Sequence, residues 1–133
     1  MIELLICATL SMSDGDSGRC DGRRVRIHGI DAAEVAPYTR CRTQPTIWAC
    51  APANRAFAIA SRDRARQLVR GGASCQAVDT DRYQRVVVRC RVNGRDLGET
   101  LVREGMAVAD PRYGREYRRA EARARREGRG VWG

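Results

Sequence analysis

Three short segments of the chain carry carboxylates and guanidinium groups at spacings that suit chemistry. The first is Asp14-Gly15-Asp16-Ser17. The second is Val25-Arg26-Ile27-His28-Gly29-Ile30-Asp31-Ala32-Ala33-Glu34, and the third is Asp81-Arg82-Tyr83-Gln84-Arg85. Clustered carboxylates such as Asp16, Asp31 and Glu34 can hold a hard divalent cation through oxygen and leave one group over as a base. Two arginines, Arg26 and Arg85, can clamp a phosphate through paired N–H donors. Together the five residues describe a metal-assisted attack on a phosphodiester.

These groups need a scaffold, and the pattern around them supplies one. Residues 3–12 read as an apolar strand, and a turn at 13–16 leads to a short strand near 17–20. Asp21-Gly22 signals a tight turn into a strand over 23–30, with Val25, Ile27 and Gly29 on one face and Arg26, His28 and Ile30 on the other. Residues 35–51 read as an irregular loop that borders the site, since it follows Glu34 directly. Pro52 suits a helix start, and the helix should run to about Arg70, where Gly71-Gly72 stops it. Its buried stripe should be Phe57, Ala60, Ala65, Leu68 and Val69. Residues 73–79 and 84–92 form a hairpin whose buried strand is marked by Val86, Val87 and Val88. Asn93-Gly94 turns the chain, Asp96 caps a short helix through Arg103, and a charged last helix spans 114–127. Trp132 is expected to pack back on the domain.

A chain of 133 residues is one domain's worth, 1–133, with a modest core. Only 5% of residues are aromatic, so that core must be mostly Val, Leu, Ile and Ala. The net charge is +9, and every basic residue is Arg. That composition fits a phosphate-rich partner, nucleic acid above all, or an arginine-biased genome. The absence of Lys excludes Schiff-base chemistry, and the single His28 excludes zinc sites built on several histidines.

The six cysteines contain no Cys-x-x-Cys, which argues against a zinc ribbon or a thioredoxin-type motif. Cys75 and Cys90 are equidistant from a turn near Arg82 and Tyr83, and Cys7 and Cys20 from one near Ser13 and Asp14. Cys41 and Cys50 close a short loop. Residues opposed across a hairpin can bridge, which favours the pairs 7–20, 41–50 and 75–90 over buried free thiols. Disulfides imply an oxidising compartment, secreted or periplasmic. The segment Met1-Ile2-Glu3-Leu4-Leu5-Ile6-Cys7 reads as a first strand rather than a leader, so a leader peptide is expected to be absent from this chain. No stretch approaches the length of an apolar membrane helix.

The three segments, in this order and spacing, resemble the thermonuclease family, the staphylococcal-nuclease-like proteins. The tail from Ala120-Glu121-Ala122-Arg123-Ala124 to Gly130-Val131-Trp132 extends the resemblance over nearly the whole chain. Local pattern alone gives a small α+β domain. The resemblance implies a five-stranded OB-fold β-barrel with three α-helices. It also implies Ca²⁺ held by Asp16, Asp31 and the backbone carbonyl of Ala32, with Glu34 preparing water and Arg26 and Arg85 on the phosphate. Arg82 and Tyr83 match positions that contact the terminal phosphate and sugar, and Tyr113 could stack on a base. The implied activity is hydrolysis of DNA and RNA, single strands favoured, without sequence specificity, by a monomer that leaves 3′-phosphates. Ala32 and Ala33 stand where the family motif carries Thr and Pro, and Gln84 where it carries Gly. The alternatives are a non-catalytic OB-type module that binds nucleic acid or protein, and an arginine-rich secreted toxin or adhesin. Retention of Asp16, Asp31 and Glu34 together favours the enzyme.

Overall fold

The computed structural model describes residues 3–133. Its main sheet follows the order β1-β6-β7-β4-β3-β2, built from β1 (Glu3–Cys7), β2 (Leu10–Met12), β3 (Ser17–Cys20), β4 (Arg23–Ile27), β6 (Ala73–Thr80) and β7 (Val86–Val92). A short β8 (Arg95–Asp96) pairs with β7, and β5 (Ile30–Asp31) pairs with β9 (Val108–Ala109) apart from the main sheet. All pairings are antiparallel except β4 with β7, which sets Val25 beside Val86 and Ile27 beside Val88. The sheet curls into the OB-type α+β architecture expected from the resemblance.

The apolar face of the curled sheet makes the core. Val25, Ile27, Val86 and Val88 lie there with Met12, and Leu97, Leu101 and Val102 cover them from α4 (Leu97–Arg103). Alternation explains this choice, because successive side chains on a strand point to opposite faces. Asp96 starts α4 by accepting the Glu99 N–H at 3.1 Å, and its carboxylate also accepts the buried Tyr117 hydroxyl at 2.9 Å. One carboxylate thus caps a helix and anchors the segment that enters α5 (Arg118–Arg126).

Several boundaries differ from the sequence expectation, each for a local reason. The expected strand over 3–12 breaks at Ala8 and Thr9, whose N–H groups turn to the Asp21 carboxylate at 3.2 and 2.8 Å. The strand over 23–30 ends at Ile27, since Gly29 takes a φ of +78° and sends Ile30 to a different partner strand. The helix from Pro52 to Arg70 is two pieces, α2 (Pro52–Arg55) and α3 (Ala58–Leu68), after α1 (Thr39–Thr43) in the loop. The break shifts the buried stripe, so Ala58 and Ser61 are buried where Phe57 and Ala60 were expected, while Ala65 and Val69 stay inside. The last helix begins with a 3-10 turn at Arg115–Tyr117. With α1 and the break at Phe57, the described residues hold five α-helices rather than three.

The three cysteine pairs are joined as 7–20, 41–50 and 75–90. Cys75 and Cys90 are register partners across β6 and β7, as hairpin symmetry suggested. The reason for the first pair is different. Cys7 is a register partner of Ala73, while Cys20 faces Leu10, so this bond ties β1 to β3 across the break at Ala8. The Cys75–Cys90 bond closes a loop with a sequence separation of 15, which constrains the unfolded chain. Replacing both by Ala should lower the unfolding free energy by about 2–4 kcal/mol. Urea unfolding of the otherwise oxidised protein measures this, and an unchanged midpoint would contradict it.

Candidate active site

Asp16 sits at the turn from β2 to β3, and the sequence around it makes the approach possible. Asp14 Oδ1 accepts the N–H groups of Asp16 and Ser17 at 3.1 and 2.9 Å, which folds the turn back on itself. A side chain at Gly15 would run into Ser61 on α3 and the methyl of Ala32, so only glycine lets this turn reach the interior. Asp16 is consequently 2% exposed. Its Oδ2 meets Arg26 NH1 at 2.6 Å and the Ala32 N–H at 2.7 Å, and its Oδ1 accepts the Ser17 hydroxyl at 2.8 Å.

Arg26 comes from β4, where its register partner is Ser17, and it reaches three segments at once. Besides Asp16 it donates to the Ile30 carbonyl at 3.0 Å and lies 3.7 Å from Asp31 Oδ1. Asp31 ends β5. Its Oδ1 also pairs with Arg40 NH2 at 3.0 Å. Glu34 follows on a loop pinned by its own N–H to the Ala49 carbonyl at 3.0 Å, and its Oε2 accepts the Arg40 N–H at 3.4 Å. Arg85 precedes β7. The Asp81 carboxylate holds it twice, through its backbone N–H at 3.0 Å and its Nε at 2.8 Å, and its NH1 reaches the Ser17 hydroxyl at 3.4 Å. An unbroken chain of polar contacts therefore runs Arg85, Ser17, Asp16, Arg26, Asp31, Arg40, Glu34.

A cleft of about 740 Å³ opens over this chain. Asp14, Ser17, Glu34, Arg40, Tyr83 and Arg85 line it, together with Arg19, Arg24 and Arg66. Asp16, Arg26 and Asp31 are not among the lining residues and lie behind them. Arg82 donates to the Tyr83 hydroxyl at 2.8 Å, and Gln44 reaches the same hydroxyl from the facing loop at 3.3 Å. Gln84, where the family motif has Gly, takes a φ of +67° and keeps the glycine-like turn despite its side chain. Tyr113 is 62% exposed, stacked near the Arg112 guanidinium, and does not line the cleft. His28 contacts Glu116 at 3.4 Å and Arg89 at 3.3 Å, away from the cleft lining.

The charges of the buried groups are unequal. Burial alone would raise Asp16, but the Arg26 guanidinium with the Asp14, Ala32 and Ser17 hydrogen bonds holds it well below the usual carboxylate range. Burial and the neighbouring Asp16 charge push Asp14 up to about 8. Burial and Asp16 likewise push Asp31 up to about 6, against the pull of Arg40 and Arg26. Asp14 and Asp31 thus each feel the Asp16 charge, and with Asp14 holding its proton near neutral pH the Arg26 and Arg40 guanidinium groups balance the Asp16 and Asp31 carboxylates. Among the described residues no three acidic, His or Cys side chains form a ready cage. A cation here would rest on Asp16, Asp31 and the Ala32 carbonyl, with water or phosphate oxygen completing the shell. An all-oxygen donor set of this kind suits a hard divalent ion.

Two residues escaped the sequence reading of the site. Arg40 lay in a loop without a motif, and its only signal was the neighbouring Cys41 that closes that loop. Asp14 stood inside the first motif but read as part of a turn, and its place beside the Asp16 charge at the cleft wall depends on the folded turn.

The sign of the Asp14 shift gives a test. A carboxyl with a folded pKa of about 8, above its ordinary 3.8, binds its proton more tightly when folded. Its contribution to stability is retained at low pH and lost as pH rises from about 4 through 8. In chelator the urea midpoint should fall over that window, and Asp14→Asn should flatten the fall. Equal slopes for parent and variant would remove Asp14 as the cause.

The profile of the staphylococcal nuclease homologue family matches residues 24–133. The succinoglycan biosynthesis protein ExoI of Rhizobium meliloti (strain 1021) is 31% identical over 138 residues, covering 96% of this chain. The chain spans 64% of that relative's length. The family match begins after Asp16, yet the fold places Asp16 directly against Arg26 inside the matched region. The chain belongs to the staphylococcal nuclease homologue family.

Proposed function

We propose that this chain is a calcium-dependent phosphodiesterase that hydrolyses DNA and RNA, single strands favoured, without sequence specificity. The supporting observation is the contact chain from Arg85 to Glu34, which links three guanidinium groups, the acids Asp16 and Asp31 and the cleft-lining Glu34 carboxylate. Arg26 and Arg85 supply positive charge where a pentacoordinate phosphorus gains negative charge. Glu34 lines the cleft and is held by its backbone, so its carboxylate is placed to orient water or accept its proton. A bound divalent cation supplies Lewis-acid polarisation of the phosphate and lowers the pKa of water.

By family resemblance the P–O5′ bond breaks and products carry 3′-phosphates. Tyr83, Arg82 and the arginines of the cleft address phosphate and sugar, which favours binding without base readout. Three disulfides favour an exported protein, secreted or periplasmic; the proposed enzyme is a monomer. The relative's part in succinoglycan biosynthesis names no reaction, and the cleft's arginines suit a phosphate ester. A binding module would gain nothing from Glu34, because a carboxylate beside phosphate repels it.

Calcium should switch on degradation of denatured DNA, and chelator should abolish it. Glu34→Gln should lower turnover by about 10²–10⁴ while single-stranded DNA affinity stays similar or tightens slightly. Initial rates and equilibrium binding at fixed salt measure both. Cleavage by Glu34→Gln at the parent rate would replace Glu34 as the base.

A further inference from the structure

We infer that Arg40 is a third phosphate-binding guanidinium of this site, which exchanges between Asp31 and a substrate phosphate and so uncovers the cation position. The inference rests on the phosphodiesterase reading of the cleft. Arg40 lines the cleft, whereas Asp31, a proposed ligand, lies behind it with its Oδ1 held by Arg40 at 3.0 Å and approached by Arg26 at 3.7 Å. As it stands, a guanidinium occupies the carboxylate that a cation would need. The grip of Arg40 is incomplete. Its Nε is buried and has no hydrogen-bond partner among the described residues. An arginine in that state is suited to an anion that can take Nε and a terminal nitrogen together, and a phosphodiester oxygen pair has that geometry.

The backbone beneath Arg40 is held by contacts that do not involve its guanidinium. Cys41–Cys50 ties α1 to the 3-10 turn at Trp48–Cys50, and Gln44 reaches Tyr83 on the opposite wall. The Glu34 carboxylate accepts the Arg40 backbone N–H, so a swing of the side chain leaves the base in place. Moving the guanidinium from Asp31 to phosphate removes one positive charge from the cation position and adds one to the substrate. Cation and phosphate then assist each other through a single side chain.

The test uses the oxidised, full chain and two separate ligands. Calcium chloride alone is titrated by calorimetry, and a short oligothymidylate is titrated in excess chelator, where no cleavage occurs. Arg40→Gln should bind calcium more tightly by about 5-fold or more and the oligonucleotide more weakly by about 5-fold or more. Arg42→Gln removes the same charge from the same helix and should leave calcium affinity unchanged. Arg40→Lys keeps the charge on Asp31 but lacks the paired donors, so calcium affinity should stay near the parent while oligonucleotide affinity falls. Opposite shifts in Arg40→Gln, absent in Arg42→Gln, support the exchange. Calcium affinity that is unchanged or weaker in Arg40→Gln overturns it, as does an oligonucleotide affinity no lower than that of Arg42→Gln. Should Arg40→Gln fail to fold, Arg40→Lys decides, and parent-like oligonucleotide binding by that variant overturns the exchange. A parent protein that cleaves no nucleic acid would sink the phosphodiesterase reading, while both binding titrations would still report on Arg40.

Discussion

Asp16 and Arg26 form an ion pair at 2.6 Å with Asp16 almost wholly out of water, and the rest of the site is arranged around it. A buried carboxylate is tolerated only when its charge is matched and its lone pairs are taken. Here the guanidinium matches the charge, and the Ala32 N–H and Ser17 hydroxyl take lone pairs. Each partner comes from a different segment: β4, the turn after β5, and the start of β3. The backbone is tied in the same way, since the Ile27 N–H donates to the Asp16 carbonyl at 2.8 Å. Satisfying one buried acid thus draws three segments to one point.

The crowding of carboxylates beside that pair links stability to function. Asp14 and Asp31 stand close enough to Asp16 that both are pushed up in pKa, while Arg26 and Arg40 hold the cluster together. Acids with pKa values pushed apart in this way at a cleft mark a candidate functional site rather than a device for stability. The fold offsets this locally frustrated charge elsewhere. Apolar packing of β4 and β7 against α4, the Asp96–Tyr117 contact and the three disulfides all lie outside the acidic cluster.

Much of this was legible in the sequence where a local rule acts alone. Asp21-Gly22 and Asn93-Gly94 turn the chain with positive φ at all four residues, as their chemistry dictates. Asp96 caps α4, and Cys75 faces Cys90, because both depend on near neighbours or hairpin symmetry. Asp31, Glu34, Arg26 and Arg85 were legible as chemistry because they stand in motifs. What was hidden depends on contacts remote in the chain. The break at Ala8 is set by Asp21, and the burial of Ser61 rather than Ala60 by the kink at Phe57 and the carbonyl of Met106. Arg40 reaches Asp31 only because the Cys41–Cys50 loop folds over the site, which no spacing rule states.

The organisation of the site requires Asp16 and Arg26 to act as one unit. A double-mutant cycle on unfolding free energy, with Asp16→Asn, Arg26→Gln and both together, measures this directly. Removing either partner leaves the other uncompensated in the interior, so the two single losses should overlap. An interaction energy of about 2–3 kcal/mol is predicted, with the double variant little worse than either single one. Single losses that add to within about 0.5 kcal/mol would show two independent residues and contradict the organisation of the site around this pair.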